Sequence, residues 1–266
     1  MKNIMDTAEK ENSRLLIEKF LKEKHNLPYA NIGLNNEYLG WVKDFNLRDF
    51  NNNPIGLDLT KNNDLFLLFI LAVVWSRTGP WENSAFFVSY LKTNKKDTIE
   101  FWNKEVNFLK EESLREISAK EITSQIRGIN PRKKISFRKD VFSSVHLLAK
   151  KWPDILKILV KSEKENNFIL FMEFMRSIEG LGANNKRILI KIPLILRELR
   201  CQHIYSNIPG ELCCVPDARV YSSAKELMIN IPKVSNLENL IKSSTKIHHL
   251  YGDLYDLPLF AHDDLK

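Results

Sequence analysis

Ile178-Glu179-Gly180-Leu181-Gly182-Ala183 lies between two apolar segments, Phe168 to Ser177 and Asn185 to Arg200. In both flanks the hydrophobic residues recur at intervals of three and four, the period of an amphipathic helix. The spacing therefore predicts a helix, a glycine hairpin and a second helix over about residues 168–200. Glycine suits such a turn because it takes positive φ, and without Cβ the backbone N–H groups of Gly180, Leu181, Gly182 and Ala183 can approach a phosphate. The same glycines also fit a plain helix C-cap followed by a new helix.

Working outward, the remaining long segments carry the same period. Helices are expected at Ala8 to Glu23, Asn63 to Trp75, Glu82 to Leu91, Asp97 to Leu109, Ala119 to Ile126, Val141 to Ala149, Ala218 to Met228 and Leu237 to Tyr251. Only 9 Gly and 10 Pro occur, and strand-like runs are too few to build a sheet. Turn clusters such as Asn51-Asn52-Asn53-Pro54 and Asn207-Ile208-Pro209-Gly210 separate the helices, and none is long enough for a flexible linker. The expectation is an all-α chain, whose 266 residues fit either one large domain or two small subdomains packed on each other.

Composition removes several function classes. The longest apolar run, Leu65 to Trp75, is shorter than the roughly 18 residues of a membrane span. The first residues lack a secretory apolar region, so no membrane partner and a cytoplasmic location are expected. Three cysteines without C-x-x-C spacing support neither a disulfide framework nor a four-thiolate cluster. Neither a metal nor any other cofactor is expected, since the adjacent His248 and His249 diverge on a helix and have no carboxylate at ligand spacing. The net charge of +7 favours a polyanionic partner, and Arg132-Lys133-Lys134 is the densest basic patch, fit for phosphate contact or for a solvated helix lead-in.

Two residues beyond the hairpin carry chemistry. Lys186 falls on the first turn of the second hairpin helix, and Val215-Pro216-Asp217-Ala218-Arg219-Val220 puts an acid directly before a helix. Alone, Asp217 reads as an N-cap and Lys186 as one lysine among many, with Lys191 on the same helix. Their order after the glycine hairpin is harder to obtain by chance.

Three patches together resemble the archaeal GO glycosylase family, a branch of the helix-hairpin-helix DNA glycosylases that removes 8-oxoguanine. Val74-Trp75-Ser76-Arg77-Thr78-Gly79-Pro80-Trp81-Glu82 is similar to its S-x-R-x-T-G segment. Gly182 through Val220 is similar to its hairpin, catalytic lysine and P-x-D-x-R-V stretch, with the lysine-to-aspartate spacing one residue shorter. Leu250-Tyr251-Gly252-Asp253 with Leu257-Pro258 is similar to its closing segment. The resemblance implies a helix-hairpin-helix architecture in which residues 1–266 form one domain of two helical subdomains with the active-site cleft between them, and a monomer acting on double-stranded DNA that carries a modified base. It implies that Asp217 stabilises positive charge on the sugar as the base leaves, that Lys186 is the amine able to form a Schiff base, and that Arg219 lies among the DNA contacts.

The departures concern the base. Counting back from Tyr251-Gly252, the family's base-reading aspartate falls at Asn239 and its stacking tryptophan at Ser243. Asn offers one acceptor and one donor where Asp offers acceptors only, and Ser removes a ring, so a pocket of changed polarity and larger size is expected there. Trp81, after a Gly-Pro turn, is the aromatic candidate for the same pocket. The expected substrate is a modified base other than 8-oxoguanine, bulky, such as a glucosylated hydroxymethylcytosine of phage DNA, which would make the chain an antiviral enzyme. Two alternatives stand beside it: 8-oxoguanine repair, and a helix-hairpin-helix module that binds DNA without catalysis.

Overall fold

Residues Leu65 to Val74 are apolar on every side, and a helix of that kind is stable only when surrounded by other elements. In the computed structural model, which describes residues 2–27, 29–42, 47–48, 54–78, 81–103, 139–181 and 186–266, each of these ten is buried. The expected helix Ala119 to Ile126, the basic patch Arg132-Lys133-Lys134, and hairpin residues Gly182 and Ala183 lie outside the described residues. The described part is predominantly helical: α1 (Lys2–Glu23), α2 (Asn62–Thr78), α3 (Trp81–Asn94), α4 (Thr98–Asn103), α5 (Lys139–Lys164), α6 (Ile169–Ser177), α7 (Lys186–Cys201), α8 (Ala218–Glu226), α9 (Leu237–Tyr251) and α10 (Leu257–Ala261). The one sheet among the described residues pairs β1 (Leu47–Arg48) with β2 (Pro54–Ile55) antiparallel, Leu47 opposite Ile55. No described helix is long and apolar enough to cross a membrane.

The chain divides into two compact units, residues 42–161 with 174–188, and residues 1–41 with 162–173 and 189–266. In the first unit, α2 packs against α3, which buries Ala85, Phe87, Val88 and Leu91. Helix α5 contributes Val141, Val145, Leu148, Trp152, Ile155 and Leu159, spaced at three and four. The Trp152 ring meets Phe66 and Phe69 edge-on, each at 5.0 Å between centroids, and its indole N–H donates to Asn62 Oδ1 at 2.8 Å. The expected helix from Val141 to Ala149 thus continues through Pro153 to Lys164. Proline removes one helical donor and crowds the preceding turn, but burying Trp152, Ile155 and Leu159 offsets that cost, since each large apolar side chain contributes roughly 1.5–3 kcal/mol.

The second unit is organised by α7. Its apolar face, Leu189, Ile192, Leu194, Ile195, Leu196 and Leu199, is buried, and so are three charged residues, Lys191, Arg197 and Glu198. Buried charge requires partners. Arg197 forms an ion pair with Asp256 at 2.8 Å, and the same carboxylate accepts from the Val215 N–H at 2.8 Å. Glu198 accepts from the Tyr38 hydroxyl at 3.2 Å and the Trp41 N–H at 3.0 Å. Gly40, at φ +82°, passes so close that an added Cβ would stand 2.9 Å from Glu198 Oε2, so glycine is required there.

Burial in this unit also fixes protonation. The Tyr38 and Tyr255 phenols and the Cys213 and Cys214 thiols are pushed above their ordinary ranges mainly by burial, and the Cys201 thiol is pushed up to about 12 for the same reason. An unfolded thiol ionises near about 8.5, so the folded protein holds protons that the unfolded chain has lost. That contribution is complete below about pH 8.5 and disappears as pH rises toward 12. Urea midpoints are expected to be flat through pH 8 and to fall steadily above about pH 9; a midpoint unchanged to pH 11 would contradict this account of the core.

Candidate active site at the start of helix α8

Asp217 follows Pro216 in β conformation, φ −84° and ψ −177°, and leads into the first turn of α8. Its Oδ1 accepts from the backbone N–H groups of Arg219 at 3.1 Å and Val220 at 3.2 Å. The N-cap expected from the sequence is therefore present, and the helix dipole favours the anion it holds. The other oxygen, Oδ2, lies 3.1 Å from Lys191 Nζ. Only 10% of the Lys191 side chain and 20% of that of Asp217 are exposed, so the pair interacts largely out of bulk water.

A second pair stands behind the first. Asp256 receives the N–H of Val215, two residues before Asp217, and is bound to Arg197, six residues after Lys191 on α7. Burial raises the Asp256 carboxyl above its ordinary range, Arg197 opposes that rise, and the nearby charge of Asp217 adds to it. Two cations of one helix thus meet two anions of two other segments.

Beside the pair is a cavity of about 570 Å³ lined by Ile190, Pro216, Ala218, Tyr221 and Val234, with Lys225 and Lys233 also in its walls. Ile190 adjoins Lys191, and Pro216 and Ala218 bracket Asp217, although neither charged side chain of the pair lines it. Tyr221 is braced from below: its hydroxyl binds the Pro232 carbonyl and accepts the Val234 N–H at 2.8 Å.

The other expected site residues fall in different places. Lys186 begins α7, but the ammonium that meets Asp217 belongs to Lys191. Position within the sequence carries a signal for this residue: Ile188-Leu189-Ile190-Lys191-Ile192 sets one lysine in an otherwise aliphatic stretch, where it must find an anion. Ser243 does not open a pocket. It is fully buried on α9, its hydroxyl bound to the Asn239 carbonyl one turn back at 2.7 Å and to the Pro232 carbonyl. A helical serine that back-bonds to its own turn packs as core. Asn239 sits in the first turn of α9, where its N–H donates to the N-cap Asn236 at 2.9 Å and its side-chain amide to Ser235 Oγ at 2.8 Å. Neither Asn239 nor Ser243 lines the cavity beside Asp217.

Arg219 pairs with Asp264 at 2.6 Å and lies over the Phe260 ring at 4.3 Å. Gly180 has φ +84°, and the Leu181 N–H donates to Ile178 at 3.0 Å, so the positive-φ turn expected after α6 forms. Leu181 is buried. Trp81 begins α3, in the first unit. Exposed Glu226 and Asp263 converge with half-buried His262 near the C-terminus, where the Lys266 ammonium bridges Glu226 at 2.7 Å and Asp263 at 2.8 Å.

No protein-family model, curated protein or solved structure matches this chain. The site's meaning therefore rests on its own geometry.

The two roles of Asp217, cap and charge, separate by substitution. Asp217→Asn keeps a good N-cap and loses the charge, whereas Asp217→Ala loses both, at about 1 kcal/mol for the cap alone. The Ala variant is expected to melt several degrees below the Asn variant; equal melting temperatures would mean that the cap contributes nothing.

Proposed function

We propose that the chain is a DNA glycosylase of the helix-hairpin-helix type, which turns a modified base out of the duplex and cleaves its N-glycosidic bond. The observation that carries the reading is the Asp217 carboxylate, fixed through one oxygen by the α8 amides and through the other by Lys191. A carboxylate held in this way needs no rearrangement to face positive charge, and preorganised charge is usually the largest single source of catalysis. In the proposed reaction the bond from C1′ to the base breaks, its electron pair leaves with the base, and a proton completes the departing base. The sugar becomes cationic and faces the carboxylate, and water adds to C1′ with loss of a proton, leaving an abasic site.

The glycine turn at Gly180 and the start of α7 are proposed to hold the DNA backbone, with N–H groups and a helix N-terminus toward phosphate. Lys186, first on α7, is the proposed amine for any Schiff-base step. The cavity of about 570 Å³ falls within the roughly 300–1,000 Å³ of pockets that take drug-sized ligands, so a base carrying a bulky substituent is the proposed substrate. Glucosylated hydroxymethylcytosine of phage DNA is the specific candidate, with an antiviral role.

The N-cap bonds of Asp217 also support a second reading, a DNA-binding module in which this residue only starts a helix. Activity separates the two. On duplexes carrying single modified bases, the wild-type protein is expected to release one base, and Asp217→Asn to lower the single-turnover rate by about 10²–10³-fold with DNA binding retained. Salt-sensitive binding without base release by the wild-type protein would select the module.

A further inference from the structure

A lysine that meets a catalytic carboxylate can attack the sugar itself or fix the carboxylate. The surroundings of Lys191 decide between these. Its Nζ lies 3.1 Å from Asp217 Oδ2, only 10% of its side chain is exposed, and it sits between Ile190 and Ile192 on the aliphatic face of α7. An attacking amine must be free to reach C1′, whereas this one is directed at a carboxylate oxygen 3.1 Å away. Among the described residues the charge of Asp256 also acts against that of Asp217, while Arg197 is bound to Asp256 and Arg219 to Asp264. The cation in contact with Oδ2 is Lys191.

We propose that Lys191 is a positioning residue, which aims Oδ2 of Asp217 and balances its charge beside Asp256, while the α8 amides aim Oδ1. The inference rests on the glycosylase reading for its kinetic consequences and on the ion pair alone for its effect on stability. Removing the ammonium leaves Oδ2 of Asp217 without the cation that fixes it, near the charge of Asp256.

The test compares Lys191→Met, Lys191→Arg and Lys186→Ala on full-length protein with a modified duplex that the wild-type protein cleaves. Lys191→Met is expected to lower single-turnover base release at least about tenfold near neutral pH and to leave the DNA dissociation constant within about twofold. Lys191→Arg is expected to restore most of the rate. If Lys191→Met abolishes borohydride trapping while Lys186→Ala retains it, Lys191 is the nucleophile and the inference falls. An unchanged single-turnover rate in Lys191→Met also overturns it.

If the wild-type protein releases no base, the glycosylase reading fails, and the pair is judged from melting of the single and double variants. Lys191→Met with Asp217→Asn should then lose less stability than the two single losses together. Additive losses would remove the positioning role.

Discussion

A lysine, an arginine and a glutamate buried along α7 constrain everything around them, and the ion pair of Lys191 with Asp217 is the one on which the site depends. None of these groups can be left without a partner in the interior. Each draws a different segment to the helix: Asp217 at the start of α8 meets Lys191, Asp256 before α10 meets Arg197, and the strand-like stretch of Tyr38 to Trp41 meets Glu198. The same bonds that fold the unit thus set the carboxylate of Asp217 in place. Asp256 adds a cross-brace, since its hydrogen bond from Val215 fixes the chain two residues before Asp217.

Electrostatic preorganisation follows from that packing. With one oxygen bound to two amides and the other to an ammonium, Asp217 has little freedom to rotate. Four charges of alternating sign lie within one small volume, mostly out of water, where their interactions are stronger than on an exposed surface. Under the proposed reading this is the arrangement that a cationic sugar would need to meet. The N-cap and the catalytic carboxylate are then one group, which explains why a good capping residue alone would not be a sufficient replacement.

Much of this was legible in the sequence where local physics dominates. The bounds expected for the helix Leu237 to Tyr251 coincide with α9, because Asn236 caps it and Gly252 ends it. Asp217 was readable as a cap because Pro216 precedes it and an amphipathic segment follows. The extension of α5 beyond Pro153 was not, because local propensity argues for a stop and only tertiary burial of Trp152, Ile155 and Leu159 overrides it. The five-residue α10 was too short to show a period. Ser243 was placed by counting along a resemblance, which gives position along α9 but not which face is packed. The aliphatic setting of Lys191 is the physical signal in the sequence for a buried ion pair, whereas the partner it meets, 26 residues away, is set by tertiary packing.

The central claim is that the fixed charge of Asp217 recognises positive charge on a sugar, and it can be measured without knowing which base is removed. Duplexes with a cationic pyrrolidine in place of one deoxyribose imitate the charged sugar, and duplexes with a neutral tetrahydrofuran at the same position do not. The account predicts that the wild-type protein binds the cationic duplex at least about 10²-fold more tightly than the neutral one, as enzymes bind transition-state analogues, and that Asp217→Asn removes most of the difference. Equal affinity of the wild-type protein for the two duplexes would contradict it.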